Sequence, residues 1–131
     1  MSLAQADDCS NFSGNYESVE YGHRYTMSIR QQGCSTLEVT SSMDDQSPSK
    51  CLMTLNNAPF VCEGGYESAS ISGDQIFMTS LEKLPGGGFQ SLGKDQTWFL
   101  VQDGITAQET TNPGGGSYPS YSTTGWQRVG D

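Results

Sequence analysis

The chain has one histidine, His23, set between Gly22 and Arg24. A Ser-His-Asp or Cys-His apparatus needs the imidazole held between a nucleophile and an orienting carboxylate. His23 falls at an expected hairpin tip, where that apparatus would have to be built around a turn residue, so it reads as an exposed turn histidine. Paired carboxylates occur at Asp7-Asp8 and Asp44-Asp45. Neither pair falls in the D-x-[DN]-x-[DN]-G frame of a calcium loop, so both read as solvated turn residues and no metal is expected. Glu20 and Glu82 would suit acid–base chemistry if buried together, but both lie near expected strand ends, where carboxylates at a wet rim behave ordinarily. The triglycines at 86–88 and 114–116 lack a following Lys-Ser or Lys-Thr and a strand-to-helix crossover, which argues against a phosphate cradle. The expectation is a non-enzymatic protein with no cofactor.

Four cysteines, Cys9, Cys34, Cys51 and Cys62, occur without the paired C-x-x-C spacings of a zinc site. In a short chain they favour two disulfides and an oxidising compartment, periplasmic or secreted. Six Lys and Arg against fifteen Asp and Glu leave a formal charge of -9. That field repels phosphate backbones, so nucleic acid and anionic membrane are poor partners. No apolar run approaches the roughly 18 residues of a membrane span. The length of 131 residues suits one domain. Residues 1–8 read as a disordered leader, with Met1, Ser2 and Leu3 ahead of a mature start near Ala4 to Ala6, and 9–131 as a single β-barrel domain, expected to be monomeric.

Helical periodicity does not survive the punctuation by 16 glycines and many Ser, Thr and Asn. Short runs suited to strands recur instead, at 13–21, 24–32, 35–40, 51–55, 58–62 continuing irregularly through 66–71, 75–84, 96–102 and 105–110, with a last short strand at 124–129. Residues 85–88 and 113–121 read as loops. Directly opposed residues of an antiparallel hairpin must share a face, which tests the assignment. A turn at Asn56-Asn57 sets Met53 opposite Phe60 and Cys51 opposite Cys62. A turn at Gly22-His23 sets Tyr16 opposite Ile29 and leaves Cys34 as the cysteine nearest Cys9. Among the three possible connectivities, Cys9–Cys34 with Cys51–Cys62 therefore leads. Turns at Gly73-Asp74 and Asp103-Gly104 pair Ile71 with Ile76 and Leu100 with Ala107.

Successive hairpins with one apolar face make an all-β, antiparallel up-and-down meander of about eight strands. A closed barrel is favoured over a sandwich, because closure removes exposed edges. Small inward residues (Gly14, Ser18, Ala69, Ala107) leave room inside, and eight strands suffice to hold one small ligand.

The opening Phe12-Ser13-Gly14-Asn15-Tyr16 resembles the G-x-W element that starts the first strand of lipocalin-like (calycin-type) barrels, here with Tyr for Trp, and the second strand Ile29-Arg30-Gln31-Gln32-Gly33-Cys34 is similar to that of short bacterial secreted proteins. Trp126-x-Arg128 matches the C-terminal Arg that such barrels stack on the first-strand aromatic. No T-D-Y-type element and no C-terminal helix accompany them, so the match covers only the two ends of the chain. The resemblance implies a pocket for an apolar ligand. The expected function is binding of a small apolar or amphipathic molecule, lined by Tyr16, Met27, Ile29, Phe60, Met78, Trp98 and Leu100. The alternative is a filled core with a partner-binding loop around Tyr118 and Tyr121, since tyrosines among small residues make adaptable recognition surfaces.

Overall fold

In the computed structural model, which describes residues 9–112 and 118–130, the chain is built of strands alone. They are β1 (Gly14–Glu20), β2 (His23–Gln32), β3 (Thr36–Met43), β4 (Ser49–Thr54), β5 (Phe60–Cys62), β6 (Gly65–Ser72), β7 (Gln75–Lys83), β8 (Phe89–Val101), β9 (Gly104–Thr111) and β10 (Ser120–Gly130). One antiparallel sheet runs β4-β3-β2-β1-β10-β9-β8-β7-β6-β5, so every neighbour is a sequence neighbour except β1 and β10, which join the chain's two ends. The result is an up-and-down barrel, closed everywhere but between β4 and β5. The expected leader 1–8 and residues 113–117 of the expected 113–121 loop lie outside the described residues.

Ten strands replace the expected eight or so. The irregular run 58–71 is two strands, because Glu63 (φ 53°) and Gly64 (φ 84°) both take the left-handed conformation and make a tight turn between Cys62 and Gly65. Strand β8 begins at Phe89, seven residues before the expected 96, and β10 begins at Ser120, so Tyr121 is a strand residue opposite Thr110.

Two hairpin registers differ from expectation by two residues. The first turn is Tyr21-Gly22, with φ of 53° and 80°, the pair of positive values a type I′ turn requires. Tyr16 therefore opposes Met27, and the same register carried past the ladder puts Cys9 opposite Cys34. The turn after β8 is Gln102-Asp103, so Leu100 opposes Ile105. Gly104 is not a turn residue but a strand residue opposite Gln127, pressed against the Trp126 carbonyl. An even slip preserves faces, which is why the inward sets survive both changes. The Gly73-Asp74 register stands as read, with Ile71 opposite Ile76.

The Asn56-Asn57 hairpin does not form a ladder. Asn56 instead bridges Ser70, and the Asn57 amide donates to the Ala69 carbonyl at 2.8 Å, so the chain after β4 steps over to β6. A disulfide joins Cys51 to Cys62 across this seam, with Cα atoms 5.3 Å apart, and a second joins Cys9 to Cys34 at 6.0 Å. Both bridges are those the registers favoured.

The N-terminal segment closes one end of the barrel. It is tied by the second disulfide to the β2–β3 turn, and on the far side the Ser10 amide donates to the Gly73 carbonyl at 2.9 Å while its hydroxyl meets Asp74. Phe12 is wholly buried beneath it with Tyr16, Ile29, Leu37, Ile76 and Ile105, and Leu55 stands in the same core cluster. Arg128 lies across Tyr16, its guanidinium carbon 5.0 Å from the ring centroid. Its Nη1 donates to the Ser13 carbonyl and its Nη2 to the Tyr16 hydroxyl, each at 2.8 Å, and that hydroxyl donates to the Phe12 carbonyl at 2.7 Å. Gly14 is glycine for this reason: a Cβ there would sit 2.2 Å from Arg128 Nη1, and its φ of 152° is one that L side chains rarely adopt. Burial raises the Tyr16 pKa, and the charge of Arg128 opposes the rise.

Arg128→Ala is expected to cost about 2 kcal/mol, the range for charge-assisted hydrogen bonds, because two buried oxygens lose a donor. Arg128→Lys should recover little, since one ammonium cannot span both acceptors as the planar fork does. Urea unfolding midpoints measure both.

Candidate functional site

Side-chain type divides the barrel interior into two halves. Rigid Ile, Leu, Phe and Tyr fill the capped half. The other half carries both tryptophans and all the methionines of the described residues: Met27, Met43, Met53, Met78, Trp98 and Trp126 all stand on the wall of one cavity of about 480 Å³. Period-2 alternation places them inward, Met27 from β2, Met43 from β3, Met53 from β4, Met78 from β7, Trp98 from β8 and Trp126 from β10. Val39 and the Cys51–Cys62 bridge complete the apolar wall. Met27, Met53 and Met78 are buried, as is Trp98, whose Nε1 donates to Gln96 Oε1 at 2.8 Å. Methionine is flexible and polarisable, and adapts to guests of different shape.

Two grooves of about 490 and 580 Å³ lie elsewhere, along β1, β9 and β10 and along β1 and β2. Volume does not separate them from the interior cavity, but lining does. Each brings one buried core apolar side chain to its wall, Ile105 or Ile29, against six in the cavity.

Two smaller spaces adjoin the cavity. One, of about 230 Å³, shares Tyr25, Gln96, Trp98 and Trp126 with it and adds Glu20, Ser18, Ala107 and Thr124. The other, of about 140 Å³, shares Glu67, Met78 and Gln96 and adds Ser80, Lys94, Asp95 and Glu109. Carboxylates thus collect around the mouth: Glu20 beside Thr124, Glu63 on the β5–β6 turn, Glu67 on β6, Asp95 on β8 and Glu109 on β9. Lys94 is the single cation in these linings, and its Nζ lies 3.7 Å from Glu109.

Of the residues the sequence nominated as lining, Met27, Met78 and Trp98 stand together on the cavity wall. Tyr16 and Ile29 belong to the capped half, while Phe60 and Leu100 are partly buried and pack against the core without reaching the cavity. Met53, Val39, Trp126 and the mouth carboxylates other than Glu20 were not among the nominated residues, although the inward parity of Met53 with Cys51 was available. Tyr118 and Tyr121 are 92% and 74% exposed, and the adjoining residues 113–117 lie outside the described residues.

His23 Nδ1 lies 2.8 Å from Asp44 Oδ2 at an exposed position, and Asp44 Oδ1 accepts the Arg24 amide at 2.9 Å. The backbone amide, then the imidazole, lowers the Asp44 pKa. His23 is thus the first residue of β2 and not the hairpin tip expected; the pair ties the start of β2 to the residue after β3, and no serine or cysteine nucleophile hydrogen-bonds to it among the described residues. Glu20 and Glu82 are not brought together: Glu82 is exposed and accepts from Gln90 Nε2 at 2.9 Å. No group of three or more His, Cys, Asp or Glu is placed to hold a metal ion among the described residues, and none of their helices is long and apolar enough to cross a membrane.

Glu67 is the mouth carboxylate most perturbed by its surroundings. Burial raises its pKa, Glu63 raises it further and Lys94 lowers it. Its charged form is thus disfavoured in the folded protein, and over the window between the ordinary carboxylate pKa and the raised one the fold holds the extra proton. Stability therefore falls as pH rises through that window. Glu67→Gln is expected to stabilise the protein at pH 7, by less than about 1 kcal/mol after solvent screening. The gain should disappear as pH is lowered to 4, and thermal melts of both proteins across that range check the sign.

Compared with family models, with curated proteins and with solved structures, the chain matches none.

Proposed function

We propose that this barrel is a non-enzymatic binding protein for a small apolar or amphipathic molecule, of lipocalin-like architecture, working in the periplasm or outside the cell. One observation carries the reading: all the methionines of the described residues and both tryptophans line a single interior cavity of about 480 Å³, while the stiffer apolar residues pack the opposite half. A volume of this size is within the range of about 300–1,000 Å³ that small-molecule sites occupy. The G-x-Y opening with Arg128 stacked over Tyr16 supports the architecture, and the two disulfides fit an oxidising compartment. Gathering four flexible methionines around one space, with Ile, Leu and Phe packing the other half, is what a receptor for a loosely specified guest needs. A protein selected only for a filled core has no reason to sort them.

Native mass spectrometry of the unreduced protein from an oxidising host tests this reading, run beside the same sample denatured. The expected result is a small apolar adduct lost on denaturation, or uptake of one molecule of a neutral naphthalene guest per chain. No adduct and no uptake would overturn it.

A further inference from the structure

Resting on the binding function just proposed, we infer that the cavity selects amphiphiles bearing a cationic amine, the apolar body among the methionines and tryptophans and the ammonium at Glu67. The cavity has an apolar floor and an acidic mouth. Glu20, Glu63, Glu67, Asp95 and Glu109 border the main cavity or its two adjoining spaces, against Lys94 alone, and Lys94 is drawn to Glu109. Glu67 stands out because it borders both the main cavity and the Lys94 space yet makes no hydrogen bond or ion pair among the described residues. It opposes Phe60 on one side and Ser80 on the other, so its own ladder supplies no cation.

Burial and the neighbouring Glu63 disfavour the Glu67 carboxylate and Lys94 offsets only part of that cost, so a further positive charge is favoured there. A ligand ammonium would relieve that cost without displacing an existing salt bridge. Trp98 and Trp126 stand on the same wall, and aromatic rings attract cations. The net charge of -9 raises the local concentration of cations around the mouth and lowers that of anions. An anionic amphiphile such as a fatty acid would meet these five carboxylates with one lysine already engaged, so the charge pattern rejects it.

Three guests with one apolar body test the inference: 1-naphthylmethylamine, 1-naphthalenemethanol and 1-naphthoate, titrated into the intact disulfide-bonded protein at pH 7.5 and low salt, read by calorimetry and tryptophan fluorescence. The ammonium is expected to bind at least tenfold tighter than the alcohol, and the carboxylate weakest. Glu67→Gln, with its fold checked by circular dichroism and thermal melting, should remove most of the ammonium's advantage over the alcohol. Glu82→Gln, outside the cavity, should change nothing. Alcohol or carboxylate binding as tightly as the ammonium, or an advantage that survives Glu67→Gln, overturns the charge selectivity while the binding function stands. Failure of all three guests overturns the binding function itself.

Discussion

Replacing Gly104 with alanine is expected to destabilise the barrel by about 3–5 kcal/mol, at the severe end for a single methyl group. A Cβ at this position would sit 1.8 Å from the Trp126 carbonyl oxygen and 2.9 Å from its carbon. Both atoms are backbone, and they belong to the β9–β10 ladder in which Gly104 opposes Gln127 and Ile105 opposes Trp126. No rotamer change relieves the collision, so the two strands must separate. The Asp103 carbonyl, which accepts the Arg128 amide at 2.8 Å, would separate with them. Gly125→Ala is the control. It is another strand glycine on β10, its Cβ would meet nothing within 4 Å, and the change is expected to be neutral or stabilising by up to about 1 kcal/mol, since glycine carries excess unfolded entropy. Equal unfolding midpoints for the two variants would show that β9 and β10 do not approach as described.

The Cys51→Ser, Cys62→Ser double variant is expected to lose about 3 kcal/mol in the chain-entropy account and, more tellingly, its guest. Every other pair of neighbouring strands is held by a hydrogen-bonded ladder, but β4 and β5 are not, so this bridge is the covalent closure of the seam. The same two cysteines stand on the cavity wall. Freeing them lets β4 and β5 part, and wets Met53 and Val39. The Cys9→Ser, Cys34→Ser double variant loses a comparable stability, because its loop is longer, yet frees only the capping segment. Neutral naphthalenemethanol should therefore bind the second variant and fail to bind the first, at a temperature where both remain folded. Equal retention by both would show that the seam does not govern the cavity.

Much of this fold is legible in residue order, because hairpin turns fix parity and parity fixes face. Asn56-Asn57 is instructive. The reading assumed that a turn at this dipeptide starts a ladder, and found both cysteines on one face. The ladder is absent, yet the cysteines meet, since inward parity alone sufficed. The registers at Gly22 and Gly104 were displaced for opposite reasons. Tyr21 accepts a positive φ that residue type argues against, and Gly104 looked like a turn glycine while serving a close strand crossing that only the partner strand reveals. Strand β8 was half missed because Gly93, with φ of 79°, reads as a breaker, whereas it marks an irregularity in the β7–β8 pairing that brings the chain close to the Asn112 carbonyl.

The site was less legible than the fold. Inward parity identifies which side chains enter the barrel but not at what height, and height separates Ile29 in the capped half from Met27 at the cavity. The change from Ile and Leu near one end to Met near the other was present in the sequence along β2, β3 and β7, as Ile29 to Met27, Leu37 to Met43 and Ile76 to Met78. It becomes visible only once the register sets the strands side by side. The mouth carboxylates were hidden for the same reason: Glu63, Glu67, Asp95 and Glu109 come from three strands and a turn, and nothing in their spacing joins them.

The most direct test of the binding cavity uses protein labelled with ¹³C at the methionine methyls, followed by NMR as 1-naphthalenemethanol is added. Met27, Met43, Met53 and Met78 line the cavity together, so all four methyls are expected to shift along a single saturable curve. Four unmoved methyl signals in the presence of saturating guest would contradict the account, because any guest entering this space must touch them.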